Sequence, residues 1–303
     1  MKNLLGIIKR LPRTASNFFL RILYPDLSNP LDFFKLKKTL ANNKKFNDLY
    51  KNKRCFIVGN GPSINKQNLL HIKDEHLFVV NSFPHTELYD VLKPQFFVTW
   101  DAIQFDWQNP EYGENRINLF KKIGKSNPDT ICILPVREKK KIESKNILNH
   151  KNILYSYWGA KWKKYKKTGF SFESQIPECN NVIDIALMAA IYMGFSEIYL
   201  LGVDMTDFFK MYEYSWEGKV DPKYEHFYEH SKEEEKVIRK VLFPESSNEA
   251  RLRVAADKLM FFRFINGIAI KKNVKIINMT EGGGLDIFPR ERYSDWIKKN
   301  KKL

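Results

Sequence analysis

With 303 residues, 43% of them hydrophobic, the chain can bury one large core, and its composition does not indicate long disorder. A formal net charge of +16 admits nucleic acid, anionic lipid or a phosphate-bearing substrate as partner, or a general Lys bias of the surface. No arginine-rich tract, zinc-finger spacing or RNA-binding aromatic signature accompanies the charge, so no nucleic-acid partner is expected.

Met1 to Tyr24 carries Lys2, Lys9, Arg10, Arg13 and Arg21 among Leu4, Leu5, Ile7, Ile8, Phe18, Phe19 and Leu20, and is interrupted by Pro12. The apolar run after Lys2 is too short for a secretory signal. A pair of basic amphipathic helices on an anionic membrane fits the pattern, and so does an extension packed on its own domain or on a second subunit. No run of about 18 apolar residues occurs, so no transmembrane helix is expected. The three cysteines, Cys55, Cys132 and Cys179, are odd in number and far apart. They read as reduced thiols of a cytosolic protein.

Residues 25–53 form a polar connector with a helical stretch near Leu31 to Tyr50, so residues 1–52 read as a helical extension and residues 53–303 as the main domain. From Lys53 onward strand and helix patterns alternate. Strands are expected at Cys55 to Val58, Leu77 to Asn81, Phe96 to Trp100, Thr130 to Leu134, Glu197 to Leu201 and Lys275 to Asn278. Helices are expected after Ser63, at Asn115 to Ile123, Val182 to Met193 and about Asn248 to Lys271. The predicted class is α/β, a Rossmann-like, mostly parallel sheet with helices on both faces. Two segments without clear period, about 137–167 and 206–246, read as inserted lids, the first equally as an irregular solvated excursion.

The first predicted strand runs into Gly59-Asn60-Gly61-Pro62-Ser63. Glycines permit positive φ and close backbone approach, Pro62 fixes the turn exit, and Ser63 can cap a helix whose N–H groups face an anion. This reads as a nucleotide site or as an ordinary strand-to-helix connection. Asn181 and Asp184 have capping-box spacing ahead of a helix apolar on all sides, so Asp184 reads as a structural cap, with a catalytic acid as the alternative. Asp204 follows the Glu197 to Leu201 strand, where open α/β sheets gather ligands; a turn aspartate bonding its own backbone is the alternative.

No Walker motif, third glycine of a dinucleotide fingerprint, His-Glu-x-x-His, Cys-x-x-Cys or Asp-x-Asp pair is present. Nothing in the sequence asks for a metal or a cofactor. The segment Thr206 to Ser231 carries His226 and His230, four residues apart and so on one face of a helix, with Tyr212, Tyr214, Tyr224 and Tyr228. Histidine is the usual base for a hydroxyl proton, and tyrosines can donate to a leaving phosphate. An exposed surface excursion has the same composition.

Taken in order, the Gly-Asn-Gly-Pro-Ser turn, Val79-Val80-Asn81, the stretch Met193 to Asp204 and His226-x-x-x-His230-Ser231 resemble the bacterial sialyltransferases of glycosyltransferase family 42. They also resemble the related surface-polysaccharide and flagellin-glycosylation proteins, a superfamily sharing its domain with MptE-like hydroxymethylpterin diphosphokinases. The resemblance covers about Lys53 to Pro289. It implies that Gly59, Asn60, Gly61, Pro62, Ser63 and Asn81 hold a cytidine nucleotide, with Asp101, Asn181 and Asp204 also at the binding site. It further implies His230 as general base and Tyr212 as a donor to the departing phosphate. Thr206 stands where the family has a second tyrosine, and Cys179-Asn180-Asn181 replaces its Arg and Thr-Ser-Gly.

The implied protein is a metal-independent, inverting glycosyltransferase of the cytoplasm. It uses a CMP-linked sugar and a glycan or lipid-linked glycan acceptor, with peripheral inner-membrane contact through residues 1–24. Homo-oligomerisation is compatible with the sequence. The alternatives are a pterin diphosphokinase and a non-catalytic nucleotide- or glycan-binding assembly protein.

Overall fold

The computed structural model describes residues 30–159, 161–206, 226–228 and 248–300. Its strands are β1 (Arg54–Val58), β2 (His76–Val80), β3 (Phe96–Val98), β4 (Ile131–Pro135), β5 (Ile153–Ser156), β6 (Glu197–Leu201) and β7 (Lys275–Asn278). They form one sheet in the order β5-β4-β3-β2-β1-β6-β7, with every pair parallel. Alternate side chains therefore feed opposite faces: Cys55 and Ile57 join one core, Phe56 and Val58 the other.

Helices cover both faces: α1 (Pro30–Ala41), α2 (Leu88–Leu92), α3 (Gly113–Ser126), α4 (Lys139–Lys145), α5 (Val182–Tyr192), α6 (Asn248–Lys271) and α7 (Tyr293–Asn300). The class is α/β and Rossmann-like, as the alternating pattern predicts. Helix α5 is buried along its whole length and packs on β1, β2, β3 and α6. It begins with the expected capping box, in which Asn181 accepts from the Asp184 N–H and the Asp184 carboxylate accepts from the Asn181 N–H. It ends in a Schellman turn: Gly194 has φ 88°, and the Phe195 N–H reaches back to the Ala190 carbonyl at 3.2 Å. Further carbonyls at this end accept from Asp48, Tyr50 and Asn52, which ties the connector to the core.

Two regions differ most from expectation. Strand β5 and helix α4 lie within 137–167, where the sequence shows no clear period. The edge of β5 is closed by the buried Asn43 side chain, which donates to the Tyr155 carbonyl at 2.7 Å and accepts from the Tyr155 N–H at 3.1 Å. No regular helix follows Ser63. A 3-10 turn, Pro62–Lys66, stands there and is followed by another, Leu69–Ile72.

Because the sheet is parallel, all strands end on one edge. The chain runs outward from β1 to β5, then returns to place β6 and β7 on the other side of β1. The direction of winding reverses between β1 and β6, the place where such sheets leave a crevice for ligands.

Candidate functional site

At the reversal the two strand exits are locked together. The Gly59 N–H donates to the Leu201 carbonyl at 2.8 Å and the Gly61 N–H to the Gly202 carbonyl at 2.9 Å. The Ser63 hydroxyl and N–H then donate to the two carboxylate oxygens of Asp204, at 2.8 and 3.2 Å. The anion at the head of the Pro62–Lys66 turn is thus the protein's own aspartate. Burial raises the Asp204 carboxyl above the usual range, against the opposing pull of Ser63 and Lys66.

The glycines serve this contact. Gly61 has φ −67°, and a Cβ there would sit 1.8 Å from Asp204 Oδ2. At Gly59 a Cβ would sit 2.4 Å from the Gly202 oxygen. Close packing of the β1 and β6 exits by itself calls for glycine at both positions, as in the ordinary strand-to-helix connection that the sequence also allows. The loop after β7 joins them: Gly284 donates to the Asp204 carbonyl at 2.7 Å, and Thr280 Oγ1 accepts from the Val203 N–H at 3.1 Å.

Towards β2 and β3 the same edge presents side-chain amides. Asn60, 8% exposed, donates through Nδ2 to the Val80 carbonyl at 3.2 Å and to the Tyr228 hydroxyl at 3.4 Å. Its Oδ1 is buried with no partner among the described residues. Asn81 takes the left-handed conformation, φ 48°. Its N–H is fixed on the Val98 carbonyl at 3.0 Å, and its Oδ1 accepts from the Thr99 hydroxyl at 2.9 Å. That bond sets which way the Asn81 amide faces.

The His226–Tyr228 segment meets this wall. The Phe227 N–H donates to the Asn60 carbonyl at 3.1 Å, and the Phe227 ring packs 5.3 Å from that of Phe83. These three residues are not helical. His230 and Tyr212 lie outside the described residues.

Beyond β3, Asp101 precedes a short 3-10 turn, Ala102–Phe105. Burial raises its carboxyl, while Arg137 and Arg116 pull it back. Arg116 is 5% exposed and donates to the Ser82 hydroxyl at 3.1 Å. Arg137 donates to the Trp100 carbonyl at 3.0 Å and lies over the Trp158 ring at 5.4 Å. Sequence reading missed both arginines. Arg116 had a readable signal, since it shares the apolar stripe of α3 with Leu119, Phe120 and Ile123. Asn181 caps α5 through its Oδ1, which accepts from the Asp184 N–H at 3.1 Å, while its Nδ2 has no partner among the described residues.

The structure therefore brings Gly59, Asn60, Gly61, Ser63 and Asp204 into one junction, with Asn81 beside it at the exit of β2. Residues 33–207, which hold six of the seven strands and this whole junction, match the family described as 6-hydroxymethylpterin diphosphokinase MptE-like. The chain belongs to the MptE-like family. No curated protein matches it. The MptE-like match takes in every binding candidate from Gly59 to Asp204 and stops before the segment that carries His226.

Proposed function

We propose that the protein transfers a glycosyl group from a nucleotide-activated donor, a CMP-linked sialic acid or related nonulosonic acid, to a surface glycan. The reading rests above all on the Phe227–Asn60 hydrogen bond, which seats the start of the histidine segment on the nucleotide-binding candidate. Asn60 and Asn81 carry amides of the kind that pair with a base or ribose, and Asn60 Oδ1, buried without a partner among the described residues, can accept from a nucleoside donor. Three N–H groups of the Gly59–Ser63 turn are spent on Leu201, Gly202 and Asp204, so the turn suits a nucleoside better than a polyphosphate.

In this mechanism His230 takes the proton from the acceptor hydroxyl as its oxygen bonds to the anomeric carbon. The bond from that carbon to the phosphate oxygen breaks, and CMP leaves with the electron pair. Tyr212 donates to the departing phosphate in place of a metal. Residues 1–24, which lie outside the described residues, would rest on the inner face of the membrane near the acceptor. Incubating the enzyme with a CMP-linked sialic acid and a glycan acceptor should give transfer, and His230→Ala should lower kcat by roughly 100-fold or more. Full activity in His230→Ala would remove this assignment.

A second reading draws on the description of the MptE-like family: diphosphoryl transfer from ATP with magnesium to the hydroxymethyl group of a pterin. It requires the same edge of the sheet to bind ATP rather than CMP.

A further inference from the structure

On the β7 side of the Ser63–Asp204 contact, away from β2 and β3, lies a cavity of about 690 Å³, the size of a small-molecule site. Its walls are the two 3-10 turns after β1, the loop leaving β7 and the start of α7. Lys66, His71, Arg290 and Arg292 line it. Two carboxylates share it, Glu281 and Glu291, and Glu291 is already paired with Lys299 at 2.8 Å. Arg290 is fixed in place, donating to the Thr280 and Gly282 carbonyls at 2.5 Å each. Met279 and Ile297 give the cavity an apolar floor.

One lining residue is built in and incompletely satisfied. Gln67 is 7% exposed and spans the two walls, donating through Nε2 to the Met279 carbonyl at 2.7 Å. Its Oε1 has no partner among the described residues. A buried amide oxygen of this kind calls for a hydroxyl or N–H donor. Lysine and arginines converging on one cavity call for a multiply charged oxyanion, and the fork of Arg292 suits phosphate.

We propose that this cavity binds a phosphorylated polyhydroxyl compound of the sugar-phosphate class, its phosphate towards Lys66 and Arg292 and a hydroxyl towards Gln67. The phosphate is either that of a free sugar phosphate or that of a lipid headgroup. The proposal does not depend on the nucleotide donor, which is assigned to Asn60 and Asn81.

The test is calorimetry on the full chain with glucose 1-phosphate, together with flotation on phosphatidylcholine vesicles containing phosphatidic acid or, at equal charge, phosphatidylglycerol. Lys66→Ala/Arg292→Ala should weaken binding at least tenfold. Arg263→Ala/Lys271→Ala removes the same charge from α6, where both side chains are exposed, and should leave binding intact. Binding of the sugar phosphate assigns the free source. Flotation on phosphatidic acid in excess of that on phosphatidylglycerol vesicles of equal charge, the excess being lost in Lys66→Ala/Arg292→Ala, without sugar-phosphate binding, assigns the lipid source, because residues 1–24 respond to vesicle charge alone. No sugar-phosphate binding together with no such excess, or equal loss in both double variants, overturns the proposal.

Discussion

The Ser63 hydroxyl donates to Asp204 Oδ2 at 2.8 Å across 141 residues of sequence, joining the exits of β1 and β6 where the winding of the sheet reverses. Ser63→Ala removes that donor and leaves a half-buried carboxylate short of one partner. The expected cost is about 1–3 kcal/mol of stability, with the Asp204 carboxyl pushed further up. Urea denaturation of the single variant measures it; an unchanged midpoint would mean that the contact does not hold the exits together.

Asp184 gives the fold a predictable pH dependence. Its side chain is fully buried at the start of α5, and burial pushes its carboxyl up to about 7, against the pull of the Asn180 and Asn181 N–H groups. The native state then keeps a proton that the unfolded chain releases near pH 4. The stability this confers is full below about pH 4 and is lost as pH rises towards 7, by an amount on the order of 3 kcal/mol. Asp184→Asn keeps a capping side chain without the titration. Its urea midpoint should change less between pH 5 and pH 8 than that of the parent.

The basic N-terminal segment makes a separate prediction. Removing residues 1–24 takes out Lys2, Lys9, Arg10, Arg13 and Arg21 and should abolish binding to anionic liposomes at low salt, while thermal unfolding of the remaining chain changes little. Unchanged co-sedimentation would reject a membrane contact through this segment. No helix among the described residues is long and apolar enough to cross a membrane.

Six strands are readable as short apolar runs closed by turn residues, because both faces of a parallel sheet are buried. The seventh, β5, is not. Ile153-Leu154-Tyr155-Ser156 sits in a Lys-rich stretch, and what completes it as an edge strand is Asn43, more than a hundred residues away. A helix after Ser63 is the natural reading of Pro-Ser following a strand. The turn instead closes after five residues, and its capping carboxylate arrives from Asp204, a partner that local sequence cannot supply.

The same limit governs the site. Gly59, Gly61 and Asp204 stand out by their position at strand ends, and their mutual packing is revealed only by the sheet order. Asn60 and Asn81 are equally visible in sequence and keep a ligand-facing interpretation. Arg137 stays hidden because its relation to Asp101 depends on β3 and β4 being neighbours.

On the proposed function, the β1–β3 end of this edge binds a cytidine nucleotide through Asn60 and Asn81. Calorimetry with CMP, run in parallel with ATP plus magnesium, decides the matter. CMP should bind, Asn81→Ala should weaken that binding at least tenfold, and ATP should bind little or not at all. Binding of ATP with magnesium but not CMP, or CMP binding indifferent to Asn60→Ala and Asn81→Ala, would contradict the proposed function.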